Sequence, residues 1–368
     1  MRLHGIHPSL NCRLFMRIRC YVMLNKITSG LRWRYELYLS EYIDLFGSVS
    51  YFVQFGLAWF KNRHSATVIY VFANKRNVGD YLSHQGVQQI VNIPGPMMLC
   101  TPVAQKLYHY QLSYLRQHNP SCHVVIGGGG LLQGVFSDFW QALVDSKLSY
   151  SLVGVGVNRM PGRPELAPEL LHAIFTHATA LGLRDPMTVE LVQPECQSKA
   201  RLHTCPAHNF VVEYINRVTI KVKPALLHML HEADLRLAKV DIDALKDHVQ
   251  SLAHKHGLTY VESNNMHNDF STAIAQVASS QVVVSSRLHG CIMSYATGRP
   301  CIGIACDEKL SQYIQTHTQL LCVQPNDGLL DNLAMAVDKV MQGPTQQITT
   351  AQLTNSQAVG QAINEHIS

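Results

Sequence analysis

Charge is scarce in this 368-residue chain: Asp, Glu, Lys and Arg make up 15% of it, against 47% apolar residues. A disordered chain needs the opposite balance, so this one buries a sizeable core, and at about 150 residues per domain its length corresponds to two domains. It has ten cysteines but no Cys-x-x-Cys pair, which excludes a small disulfide scaffold and a thiolate zinc site and reads as buried thiols in a reducing cytoplasm. His231 and Glu232 lack a second His three residues on, so no metalloprotease helix and no metal are expected. There is no Gly-Lys dipeptide, which excludes a P-loop. Neither Gly127 with Gly129 nor Gly154 with Gly156 completes a G-x-G-x-x-G, because Leu132 and Arg159 stand at the third glycine's place, and dinucleotide binding is disfavoured.

Long apolar runs are missing too. The longest uncharged stretch at the N-terminal end, LFGSVSYFVQFGLAWF between Asp44 and Lys61, is shorter than the roughly 20 residues of a spanning helix and is broken by Ser48, Ser50 and Gln54. No short apolar core followed by a small-residue cleavage site comes after the first arginines, so no cleaved leader is expected. The first 35 residues contain no acid, yet hold Arg2, Arg13, Arg17, Arg19, Lys26, Arg32 and Arg34. This basic, aromatic segment either packs on the core as a helical extension or lies in a bilayer interface near anionic lipid. The net charge of +5 suits acidic substrates or a membrane surface, and without a recognition-helix or RNA-binding signature no nucleic acid is expected as a partner.

From Ser65 onward short β-branched runs alternate with amphipathic stretches, the pattern of βα units building parallel sheets. Strands are expected at 66–73, 123–126, 151–157 and 180–183, then at 217–223, 258–263, 281–286, 300–305 and 320–323. Two Rossmann-like halves follow, with a ligand cleft where strand C-termini and helix N-termini converge. The organisation reads as an extension over 1–64, a Rossmann-like domain over 65–212, a second over 213–345, and a peripheral segment over 346–368 with a short terminal helix. The domain boundary is expected near 209–216.

Glycines 127–130 come directly after a strand, where a bare backbone can turn sharply and offer N–H groups to an anion, or simply permit tight packing. Asn77-Val78-Gly79-Asp80 opens the first helix, and Asp80 reads either as its cap or as a cleft residue. Asp241-Ile242-Asp243 imitates a metal-binding DxD but starts an amphipathic helix, so capping is the expected role. Ser285-Ser286-Arg287-Leu288-His289-Gly290 follows an apolar run and places Arg287 and His289 at a strand end beside free N–H groups, a receptor for phosphate or carboxylate. Leu183-Arg184-Asp185-Pro186 repeats the arrangement in the first half.

Taken in order, Asn77-x-Gly79-Asp80, the glycines with Leu131-Leu132, VGVG at 153–156, LRDP at 183–186, SRLHG at 286–290, Gly298-Arg299-Pro300, Ile302-Gly303-Ile304 and Lys309 resemble the polysaccharide pyruvyltransferase family. The resemblance covers residues 65 to 325. It implies a GT-B-like fold and transfer of a pyruvyl group from phosphoenolpyruvate to a sugar of a surface polysaccharide or its lipid-linked precursor, closing a ketal, with no cofactor. By resemblance Arg184 and Arg287 bind the donor's carboxylate and phosphate, Leu288 contributes backbone, and His289 is an anion ligand or the proton-transfer group. Gly128 and Gly129 join the donor site, while Asn77, Asp80, Asn158 and Lys309 belong to the acceptor side or the cleft. Cys205-Pro206-Ala207 departs from the family, in which many members carry an acid before the Pro. The chain is expected at the cytoplasmic face of a membrane or free in the cytoplasm. Two other readings stay open: a GT-B glycosyltransferase using a nucleotide-sugar, and a non-catalytic scaffold binding sugar or membrane.

Overall fold

Apolar runs without polar interruption are stable as strands only when both faces are covered. The first sheet is built mainly from such runs: β1 (Val68–Phe72), β2 (Met97–Leu99), β3 (His123–Gly127), β4 (Tyr150–Val155) and β5 (Ala180–Leu183), with the exposed β6 (Ala200–Leu202) at its edge. All pair in parallel, in the order β2-β1-β3-β4-β5-β6. The second sheet is also parallel, with β7 (Lys223–Met229), β8 (Thr259–Ser263), β9 (Ser280–Ser285), β10 (Cys301–Ile304) and β11 (Leu321–Val323) in the order β11-β10-β9-β7-β8. This computed structural model describes residues 57–73, 77–100, 105–159, 164–263, 269–317, 320–342 and 360–365. The basic extension expected over 1–64 lies outside the described residues as far as residue 56.

Helices join the strands, as parallel pairing requires. In the first half these are α1 (Val78–Val91), α2 (Gln105–His118), α3 (Ser137–Ser146), α4 (Pro168–His177) and α5 (Pro186–Glu190). The connection α6 (Ala207–Ile215) leads to α7 (Glu232–Leu237), α8 (Ile242–Lys255), α9 (Phe270–Ser279), α10 (Leu288–Ala296), α11 (Glu308–Thr316) and α12 (Leu329–Gln342). Asp241 caps α8, accepting from the N–H groups of Asp243 and Ala244, so the DxD-like triplet is a helix start.

Three departures from expectation have physical reasons. The strand expected at 217–223 begins only at Lys223: Val218 and Val222 are exposed, whereas residues 225–229 are buried throughout, and burial selects the strand. The segment expected as a domain boundary is the helix α6, which packs on α1 of the first half and α10 of the second. Residues 360–365 are helical, and Ile363 is fully buried beside Val68, Tyr70, Val87 and Val91, so this stretch belongs to the first half's core rather than its periphery. Of the described cysteines six are buried as free thiols, while Cys306 is half-buried and Cys322 exposed. No helix among the described residues is long and apolar enough to cross a membrane.

Each sheet reverses its strand order once, between β1 and β3 and between β7 and β9. In open parallel sheets the loops leaving such strands diverge and leave room for a ligand. The first turn of α1 after β1 carries Asp80, the turn after β3 carries the glycines, and the start of α10 after β9 carries Arg287 and His289.

Candidate functional site

The first helix is held against the second half by contacts that admit no larger side chains. Asn77 caps α1, its Oδ1 accepting from the Gly79 N–H at 3.1 Å, and its Nδ2 donates to Asp80 Oδ2 at 3.1 Å. Asp80 is therefore the third residue of the helix and not its cap. A Cβ on Gly79 would stand 2.0 Å from Nδ1 of His289, so glycine is what lets the helix lie on that imidazole. One turn on, Ser83 Oγ donates to the Gly79 carbonyl at 2.9 Å and lies 3.3 Å from His289 Nε2 and 3.1 Å from Cys205 Sγ.

With its proton given to Gly79, Ser83 Oγ is free to accept from His289, which assigns the imidazole proton to Nε2. Burial first, then the charges of Arg184, Lys309 and Arg287, push the His289 pKa down to about 3. His289 is thus neutral at pH 7, and its one N–H is committed to Ser83. A neutral imidazole whose proton is already bonded is a poor source of an acid proton as long as no anion stands beside it.

The two arginines are both pinned through Nε. Arg184, at the end of β5, donates Nε and Nη2 to Asp185 Oδ2 at 3.1 and 3.0 Å, and Nη2 also to the Val157 carbonyl at 3.2 Å. Asp185 is fixed in turn through Oδ1, which accepts from both the N–H and the hydroxyl of Thr188. Arg287 caps the start of α10 and donates Nε to the Leu230 carbonyl at 2.6 Å. Among the described residues Nη1 of Arg184 and both Nη groups of Arg287 make no hydrogen bond. Anchored guanidinium groups with free ends are suited to bind carboxylate or phosphate without further ordering.

Lys309 closes the group from the second half. Its Nζ lies 2.9 Å from Asp307 Oδ2 and donates to Asn158 Oδ1 of the first half at 3.2 Å. The Asn158 side chain packs over Gly130, where a Cβ would meet it at 2.8 Å. Gly128 and Gly129 have φ of +76° and +83°, and a Cβ on them would meet Ser83 at 2.2 Å and Asp80 Oδ1 at 3.1 Å. These glycines thus both make a left-handed turn and keep space open beside Asp80. Leu288 is buried in the apolar cluster that also contains Val78 and Leu82, so its side chain packs the halves together and only its backbone is left for a ligand.

Asp80 feels all three cations, yet burial outweighs their pull and pushes its pKa up to about 6. One pair escaped the sequence reading: His231 Nδ1 lies 3.0 Å from Oδ2 of the buried Asp234, just beyond β7 and next to the carbonyl that anchors Arg287. Burial would raise the Asp234 pKa, but the hydrogen bond from His231 and the charges of His231, Lys309 and Arg287 bring it below the ordinary value. Only the His-x-x-Asp spacing hinted at this pair. Ser83 and Cys205 were equally silent, because their neighbours are distant in sequence. No group of three or more His, Cys, Asp or Glu among the described residues is arranged to hold a metal ion.

The family model for polysaccharide pyruvyl transferase matches residues 18–308. No curated protein sequence matches the chain significantly. Among solved structures, UDP-GlcNAc 2-epimerase from Methanocaldococcus jannaschii is similar at 10% identity and a TM-score of 0.53, over 82% of this chain and 98% of that one. UDP-GlcNAc 2-epimerase from Neisseria meningitidis, bound to UDP-GlcNAc, is similar at 9% identity and a TM-score of 0.54, over 81% and 99%. At such identities the likeness establishes the two-sheet GT-B-type fold alone.

Proposed function

The chain belongs to the polysaccharide pyruvyl transferase family, and from that premise we propose that this transferase takes its pyruvyl group from phosphoenolpyruvate and closes a ketal across two hydroxyls of a sugar. The observation that carries the donor is the pair of arginines, each anchored through Nε at a strand end of a different sheet, each with free terminal N–H groups. Phosphoenolpyruvate carries two anionic groups on one small carbon frame. Arg184 and Arg287 would take its carboxylate and phosphate, with Lys309 adding charge from the second half. The glycine turn and the backbone of Leu288 line the same space.

Transfer requires a proton on the donor's methylene carbon, which leaves an oxocarbenium-like centre at its second carbon. A sugar hydroxyl attacks there, phosphate departs, and a second hydroxyl completes the ketal. The arginines hold negative charge in place as it redistributes, and His289 keeps α1 and α10 in register beneath the site. A sugar attached to a lipid carrier is presented at an anionic membrane surface, to which the arginine-rich first residues are suited. This supports a reaction at the cytoplasmic face of a membrane.

Product analysis tests this reading. The purified protein is incubated with phosphoenolpyruvate and a panel of 4-nitrophenyl hexopyranosides having free 4- and 6-hydroxyls. Expected are phosphate release and a matching glycoside heavier by one pyruvic acid less one water, both lost in Arg287→Ala. Glycosyl transfer from a nucleotide-sugar in the same panel, with phosphoenolpyruvate inert, would overturn it in favour of a glycosyltransferase.

A further inference from the structure

Each carboxylate near the three cations has a nitrogen of a basic side chain within 3.0 Å, with one exception. Asp185 is taken by Arg184, Asp307 by Lys309 and Asp234 by His231. Asp80 alone forms no ion pair among the described residues. Its Oδ2 accepts from the neutral amide of Asn77 at 3.1 Å, and its Oδ1 faces the glycine turn at Gly129, where a side chain would intrude to 3.1 Å. Asn77 and the turn thus hold a carboxyl beside the glycines, in the field of Arg184, Arg287 and Lys309, the groups that attract a polyanionic donor. We propose that Asp80 is the catalytic acid of the transfer, protonated as the donor binds and giving that proton to the donor's methylene carbon. The assignment rests on phosphoenolpyruvate being the donor.

The electrostatics agree. Asp80 faces Lys309 on α11, Arg184 at the end of β5, Arg287 at the start of α10 and Asn77 on its own helix, with the buried Cys205 thiol nearby. Burial already holds its pKa at about 6. A bound polyanion would both occupy the cations that favour the carboxylate and repel it directly, and each effect drives the pKa further up. The donor therefore loads its own acid. In His289, by contrast, burial and the same cations push the pKa down to about 3.

The steps balance. The O–H bond of Asp80 breaks as the double bond's electron pair forms the new C–H bond at the methylene carbon. The first sugar hydroxyl adds to the second carbon and returns its proton to the Asp80 carboxylate. The bond from that carbon to the phosphate oxygen then breaks, the electron pair leaving with phosphate. The second hydroxyl adds in its place, and its proton leaves with the phosphate.

Calorimetric titration with phosphoenolpyruvate at pH 7.5, in buffers of different ionisation enthalpy, counts the protons taken up on binding. The wild-type protein is expected to take up close to one proton more per site than Asp80→Asn, and the variant to bind the donor about tenfold more tightly because a like charge is gone. With a hexopyranoside acceptor, the same variant should release phosphate at least about 100-fold more slowly despite that binding. Equal proton uptake by the two proteins, or turnover by Asp80→Asn within a few-fold of wild type, overturns the assignment. No binding of phosphoenolpyruvate by the wild-type protein removes the donor reading and the acid with it. Circular dichroism of the isosteric variant confirms that it is folded.

Discussion

Single residues decide what this site can do, and Gly79 shows how. From sequence it is a turn glycine, yet the structure gives it a different duty, because a Cβ there would fall 2.0 Å from the His289 ring. Gly79→Ala should therefore cost about 2 kcal/mol by overpacking, and push α1 away from α10. A denaturant melt is expected to show the lost stability, and titration the weakened donor affinity; an unchanged midpoint would mean that the helices slide freely. Arg184, Arg287 and His289 were legible in the sequence because they follow strand-like runs closely, and Lys309 through the family resemblance. The low pKa of His289 was not legible, since it comes from burial and from cations on both halves. The His231–Asp234 pair stayed hidden for a related reason: a three-residue spacing is common, and only the fold places it beside Arg287.

At the scale of elements, most strands were readable where they are buried on both faces, since β1, β3 and β4 are apolar runs bounded by turn residues. The short edge strands β2 and β6 were missed. Three residues are too few to show a period, and β6 is largely exposed, with neither alternation nor an apolar run to mark it. The shift of β7 by several residues has the opposite cause: Val218, Ile220 and Val222 alternate like a strand but find no neighbouring strand to pair with. The bridging role of α6 could not be read at all. Its apolar residues fit any buried helix, and only the packing shows that it touches α1 and α10 together. The helix α10 is buried at all nine residues, which is why its first turn can hold Arg287 and His289 rigidly at the site.

For the whole molecule, buried imidazoles set the response to acid. His203 and His208 have pKa values pushed down by burial to about 4, and His228 and His289 to about 3. The unfolded chain binds protons at these positions below about pH 6.5, whereas the folded chain does not until about pH 4 to 3, so stability is lost as pH falls through that window. Asp80 acts in the opposite sense, because its folded pKa of about 6 lies above the unfolded value and its ionisation costs stability as pH rises. Four histidines outweigh one carboxyl, so acid is net destabilising between pH 7 and pH 5. The melting temperature is therefore expected to fall over this range, as followed by circular dichroism, and a flat profile from pH 7 to 5 would refute the buried neutral histidines. The two-sheet architecture was legible because its strands and helices alternate in order, but the meeting of the segments that leave both switch points needed the fold. The central claim is that the arginines there form an anion receptor, and donor binding tests it most directly. Saturating phosphoenolpyruvate should raise the wild-type melting temperature by several degrees and leave Arg184→Ala and Arg287→Ala unmoved, with uridine diphosphate without effect on any of them. A shift produced by the nucleotide alone, or one by phosphoenolpyruvate that survives loss of both arginines, would contradict the account.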